Sequence, residues 1–194
     1  VRVFLAGASG AIGRQLVPLL VAAGHEVAGT TRRQEKAQML RELGAEPVVL
    51  DVYDAARLRE AVLGFAPELV MHQLTDLPPN PEEISAKGAD NARIRTEGTR
   101  NLLAAAEACE RRPRVLAQSI AWRLPGDAHL AVDEHEAMVL DAGGVVVRYG
   151  RFDGPGTYHE RDLAEPPRIG VEEAARKTLP LLEAPSGIVT IANP

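Results

Sequence analysis

Three glycines at a spacing of three, in Gly7-Ala8-Ser9-Gly10-Ala11-Ile12-Gly13, stand between an apolar run and a helical pattern. That placement suits an anion held on main-chain amides. The first glycine makes the tight turn, the second lets a pyrophosphate approach the backbone, and the third lets the helix pack closely on a sheet. The start of the helix then offers free N–H groups to the phosphates of a dinucleotide. Where a second strand would end, and the adenine ribose would lie, the chain reads Thr30-Thr31-Arg32-Arg33. No carboxylate is present there to bond a ribose 2′-hydroxyl, whereas two guanidiniums can clamp a 2′-phosphate with charge-assisted bonds. Thr31, Arg32 and Arg33 therefore predict NADP in preference to NAD. The plainer alternative is that both arginines are solvated residues at a helix start.

Such a site needs a parallel α/β frame, and the apolar pattern supplies one. Up to Thr75 short apolar runs alternate with helical patterns, as in repeated βα units. Strands are expected at Val1–Ala6, His25–Thr30, Pro47–Val52 and Leu69–Leu74, and helices at Ile12–Ala23, Lys36–Leu43 and Ala55–Leu63. Gly24 and Gly44 stand where the first two helices would stop. Pro18 inside the first helix predicts a kink. The Pro-rich stretch Asp76–Glu83 is the best candidate for a mobile loop. Ala92–Glu110 reads as the longest helix, Arg114–Ser119 and Val145–Tyr149 as further strands, and a helix at Val171–Leu182 with a strand at Ile188–Ala192 as the closing pair.

Longer stretches resemble the extended and atypical short-chain dehydrogenase/reductases. The G-x-x-G-x-x-G spacing of Gly7, Gly10 and Gly13 is theirs, and Gly44–Val52 looks like their third strand. The resemblance places Asp51 and Val52 at the adenine. Leu69–Thr75 is similar to the strand beside the cofactor, so Gln73, Leu74 and Thr75 would line the ribose and nicotinamide. Glu97–Ala106 matches the long central helix, although Arg95 stands where that helix commonly has Asn. Val115–Ser119 resembles the strand that carries a catalytic Ser or Thr, and Val147–Thr157 the loop over the nicotinamide.

What the resemblance asks for next is a Tyr whose phenol exchanges a proton with the substrate oxygen, and a Lys four residues later that lowers its pKa. Ser119 fits the serine. The only lysines are Lys36, Lys87 and Lys177, and none follows a tyrosine at that spacing. Aligning Glu136 with the family's glutamate puts Asp133 at the Lys position and His129 at the Tyr position. His129 is then either an acid or base near neutral pH or a structural ring. Tyr149 is expected within the sheet with its phenol toward the cofactor, and Asp153 is a substitute base or a plain loop carboxylate. Ser119 and Arg148 lie only 29 residues apart, and Thr157–Val171 is also short, so the catalytic and substrate segments are either lost or missing from the sequence as it stands.

Composition limits the alternatives. With 194 residues, 22 basic and 27 acidic side chains and a net charge of -5, the chain lacks the basic face that nucleic acid requires. One cysteine fits a reducing compartment, and neither a membrane span nor a signal peptide is visible, so a cytoplasmic protein is expected. Together these features predict an α/β chain with a Rossmann-type doubly wound parallel sheet. Residues 1–194 would form one NAD(P)-binding domain, its reduced C-terminal substrate-binding lobe drawn mainly from 153–194. The expected activity is hydride transfer between nicotinamide and a carbonyl or alcohol carbon of a small or sugar-like substrate, as an oxidoreductase or epimerase. The absent Tyr-Lys pair keeps a non-catalytic NADP(H) sensor as the alternative. A homodimer paired through the long helix also follows from the resemblance.

Overall fold

A computed structural model describes residues 1–194. Seven parallel strands form the main sheet: β1 (Arg2–Ala6), β2 (Glu26–Thr31), β3 (Glu46–Val49), β4 (Leu69–His72), β5 (Arg114–Ile120), β6 (Val145–Tyr149) and β9 (Gly187–Ile191). Their spatial order is β3-β2-β1-β4-β5-β6-β9. The order reverses between β1 and β4, and a crevice at such a reversal is where α/β sheets bind ligands.

Both faces of the sheet are covered, so the strands are apolar on each side. Val3, Leu5, Met71, Leu116, Val147 and Tyr149 point to one face, beneath α1 (Ala11–Ala22), α2 (Ala37–Glu42) and α7 (Val171–Thr178). Phe4, Ala6, Val70, Ala117 and Val146 point to the other, beneath α3 (Ala55–Phe65), α5 (Thr99–Glu107) and α6 (Leu130–Asp141). Pro18 lies on the exposed side of α1 and leaves it one continuous helix.

Two further features depart from the sequence expectations. The long helix is composite: α4 (Gly88–Arg93) passes through a π turn, Ile94–Gly98, into α5. Of the 153–194 stretch expected to supply most of the substrate lobe, β9 joins the main sheet beside β6 and α7 packs on its face, which is the closing pair read from the sequence. Outside it lie β7 (Arg151–Asp153) and β8 (Arg168–Gly170), a separate parallel pair, with the loop between them. No helix is long and apolar enough to cross a membrane.

Candidate active site

The glycine turn is shaped by what its residues lack. Gly7 has φ +89°, and a Cβ there would stand 2.5 Å from the carbonyl oxygen of Gln73. A Cβ on Gly13 would stand 2.3 Å from the carbonyl oxygen of Gly7. At Gly10 the corresponding neighbour is only Gly7's oxygen at 3.3 Å, so the space in front of it is open. Gly10 is also the N-cap of α1, and no side chain caps that helix. The first-turn amides are thus left for an anion. The Gly7 N–H donates to Thr30 Oγ1 (3.0 Å) and the Ser9 hydroxyl to Thr31 Oγ1 (3.1 Å), which anchors the turn to β2. Ala8 and Ile12 are buried beneath the turn and Ala11 is half-buried. A dinucleotide pyrophosphate fits this cradle.

Beyond β2 the charges sort themselves. Arg32 makes a two-pronged ion pair with Asp76, at 2.7 and 3.2 Å, so its charge is already answered. Arg33 and Lys36 form no ion pair. Partial burial, followed by the charges of Arg33 and Arg14, lowers the Lys36 pKa, which places three cations in one patch beside the start of α1. The Arg14 Nε is buried without a partner. Asp51 accepts from the Tyr53 N–H (3.0 Å), and the Val52 carbonyl accepts from Asn101 Nδ2 (3.0 Å), fixing the wall expected to meet the adenine.

At the ends of β5 and β6 the structure separates two residues that the sequence reading grouped. Ser119 pairs in register with Arg148, and Ile120 with Tyr149, so Ser119 and Tyr149 face opposite sides of the sheet. The Ser119 hydroxyl donates to Glu136 Oε1 at 2.5 Å, and Arg148 grips the same carboxylate through Nε (2.9 Å) and a terminal nitrogen (2.5 Å). Burial pushes the Glu136 carboxyl up, but the donors Arg148 and Ser119 outweigh it and hold the pKa below its ordinary value. Tyr149 is fully buried on the far face, its hydroxyl 2.6 Å from Thr178, and burial raises its pKa. His129 closes the turn before α6: its Nδ1 accepts from the Leu124 N–H at 3.2 Å, and its Nε2 lies 3.5 Å from Asp133.

Four further residues join the site in three dimensions. The Leu74 N–H bonds His72 Nδ1 (3.3 Å), His72 Nε2 bonds Thr99 (3.0 Å), Thr99 bonds His135 Nδ1 (2.7 Å), and His135 Nε2 bonds the Gln118 carbonyl (2.9 Å). A backbone amide at one end and a carbonyl at the other fix the direction: each ring donates through Nε2 and accepts through Nδ1, so both are neutral. Burial lowers both pKa values, that of His135 to about 4. The fourth residue is Arg95, in the π turn beside this chain. Signals did exist, in two histidines and a threonine at buried positions of otherwise apolar elements.

Gln73 is 3% exposed; neither atom of its amide makes a well-formed hydrogen bond, although the amide lies beside the buried Tyr149 hydroxyl. It adjoins the glycine turn through its own carbonyl. Thr75 is exposed just beyond, and the expected mobile loop is tied down at several points. The Asp76 N–H bonds Asn91 (3.2 Å), Asp76 holds Arg32, and the Tyr158 hydroxyl donates to the Pro78 carbonyl. That last bond joins the loops that follow β4 and β7 across the crevice.

Comparison with known proteins places this geometry. The sequence profile of the NAD dependent epimerase/dehydratase family matches residues 3–136. The 3-diazoavenalumate denitrifying reductase of a Streptomyces species is 37% identical over 216 aligned positions, covering 99% of this chain and 68% of its own. Those positions exceed the 194 residues here by 22, so the reductase carries at least that many residues that this chain lacks within the matched stretch. The UDP-glucose 4-epimerase of Thermus thermophilus, solved with NAD, superposes with a TM-score of 0.82 at 17% identity, covering all of this chain and 78% of its own. Serine dehydrogenase of Escherichia coli superposes with a TM-score of 0.78 at 14% identity, covering all of this chain and 98% of its own. At those identities the shared property is the fold.

Proposed function

From the premise that this chain belongs to the NAD dependent epimerase/dehydratase family, as an NAD(P)-dependent oxidoreductase or epimerase, we propose that it is an NADPH-dependent reductase of a small molecule whose acceptor group needs no proton from the protein. One observation carries this reading. Where the resembled enzymes keep a phenol beside an ammonium, this chain has a serine hydroxyl committed to Glu136 and a carboxylate committed to Arg148. Tyr149 is buried on the other face of the sheet, and the nearby imidazoles are locked neutral.

The nicotinamide, when bound, supplies a hydride. A ketone that accepts it becomes an alkoxide and must find a proton. A carbon bearing a diazonium group becomes C–H while N2 departs, and no heteroatom waits for a proton. The Streptomyces relative's name describes a diazo substrate that loses nitrogen, and its similarity extends over nearly the whole chain.

In this reading Gly7–Gly13 hold the pyrophosphate, Asp51 and Val52 the adenine, and Gln73, Leu74 and Thr75 the ribose and nicotinamide. Arg33, Lys36 and Arg14 take the 2′-phosphate while Arg32 and Thr31 shape its edge. Ser119 steadies Glu136 at the floor, His129 and Tyr149 act as structural residues, and the loop 153–170 covers the substrate side of a single cofactor-binding domain.

The test is consumption of 4-deuterated NADPH with an aryl diazonium salt and with a panel of ketones and aldehydes, each against an enzyme-free control. The expected result is release of N2 and deuterium in the new aryl C–H bond. Turnover confined to the carbonyl panel would replace this reading with carbonyl reduction. Tight NADPH binding with no turnover of either class would favour the sensor, which the absent Tyr-Lys pair motivates.

A further inference from the structure

Between α4 and α5 the helix widens into the π turn Ile94–Gly98. Such widened turns are rare and concentrate at functional sites. Ile94 points into the core, and Gly98 packs against Ile94 and Val52. Thr99, directly after the turn, holds His72 and His135. Arg95 lies on this widened turn, and its side chain is only partly exposed. It makes no hydrogen bond and no ion pair, yet its charge is felt at His72, His135 and Glu136.

Each neighbour able to answer that charge is already engaged. The two imidazoles are neutral and spend their nitrogens on Thr99, Leu74 and Gln118. The Glu136 carboxylate takes two bonds from Arg148 and one from Ser119. A guanidinium does not lose its proton in a protein, so this end of β4 and β5 retains one uncompensated positive charge. By contrast Arg32 and Arg148, at comparable places on the crevice, each have a carboxylate. A desolvated and unanswered charge costs stability, and a planar fork with free donors is the geometry that carboxylates bind best. The cofactor's phosphates have their own place at the glycine turn and the Arg33–Lys36 patch, at the ends of β1 and β2.

We infer that Arg95 binds a carboxylate on the substrate, fixing the substrate against the ends of β4 and β5 with its acceptor group toward the cofactor. This rests on the reductase reading above and adds the chemical class of the molecule reduced. It also gives a purpose to the departure from Asn noted at this position.

The experiment uses the full chain saturated with NADP+ and titrated by calorimetry with 4-hydroxycinnamate and with its neutral isostere 4-hydroxycinnamamide. The carboxylate should bind about tenfold or more tightly than the amide, as a charge-assisted pair in a shielded site requires. Arg95→Met should abolish that difference and Arg95→Lys retain part of it, with NADP+ affinity unchanged in both. Equal affinities in the unaltered protein, binding of neither probe, or a difference that survives Arg95→Met overturns the inference. Should Arg95→Met fail to fold, the carboxylate-to-amide ratio of the unaltered protein and its reduction in Arg95→Lys still decide. Failure of NADP+ itself to bind would sink the reductase reading and this inference together.

Discussion

The glycine turn and the corner formed by β5, β6 and α6 lie along the same end of one sheet and are built by opposite rules. The turn is left unfinished: three missing side chains, an uncapped helix start, and a patch of cations that form no ion pair. At the corner, Ser119, Glu136 and Arg148 satisfy one another, and the His72–Thr99–His135 chain runs unbroken from a backbone amide to a backbone carbonyl. Buried polar groups that are all paired stabilise a fold, whereas groups held open await a ligand. Damage at the turn should therefore appear first in cofactor affinity, and damage at the corner first in stability.

The sharpest division should come within the turn itself. Gly10→Ala places a methyl group where only Gly7's oxygen is near, so it should weaken NADPH binding at least tenfold with little change in melting temperature. Gly13→Ala meets backbone at 2.3 Å and should lose binding and also about 1–3 kcal/mol of stability. Calorimetry and thermal melts on both variants would break the contrast if Gly10→Ala proved the less stable of the two.

Acid should strike the corner next. His72 and His135 have folded pKa values below 6.5, so below that pH the unfolded chain takes up protons that the folded chain refuses. Their contribution is complete above pH 6.5 and is lost as pH falls toward 4, a decline of roughly 3 kcal/mol from His135 alone, to which His72 adds. His135→Asn should flatten that decline in denaturant titrations while leaving NADPH affinity at pH 8 unaltered.

The smallest effect distinguishes neighbouring arginines. Replacing Arg33 and Lys36 by Ala should lower the NADP-to-NAD affinity ratio about tenfold, since unpaired cations are removed. Arg32→Ala should change the ratio far less, because its charge is already spent on Asp76. Equal effects from the two variants would mean that the Asp76 pair opens when the cofactor binds.

The turn, the βα alternation around it and the strands Glu46–Val49 and Leu69–His72 were readable from sequence because each rests on local chemistry. Glycine alone tolerates those close approaches, and βα alternation leaves few ways to arrange a parallel sheet. The corner was not readable, since its partners are far apart along the chain: His72 and Thr99 by 27 residues, Thr99 and His135 by 36, Ser119 and Glu136 by 17. Helix α6 escaped notice because its buried face includes His135 and Glu136, which break the apolar period. The placement of Tyr149 was within reach. In Val145-Val146-Val147-Arg148-Tyr149 the phenol alternates with Arg148, and Ser119 lies in register with that arginine.

The strand order also bears on how the chain acquires its fold during synthesis. β1 is made before both of its neighbours and sits inside the sheet, between β2 and β4. One side of it finds β2 almost at once, but the other stays an open hydrogen-bonding edge until the chain has been extended beyond Leu69. Until then Val3, Phe4 and Leu5 offer an apolar strand to any stray partner, the kind of exposed segment on which nascent chains aggregate. The reversal of strand order between β1 and β4 thus imposes a waiting period on β1. Slowing translation before β4 should lower the yield of folded protein more than the same delay placed after it.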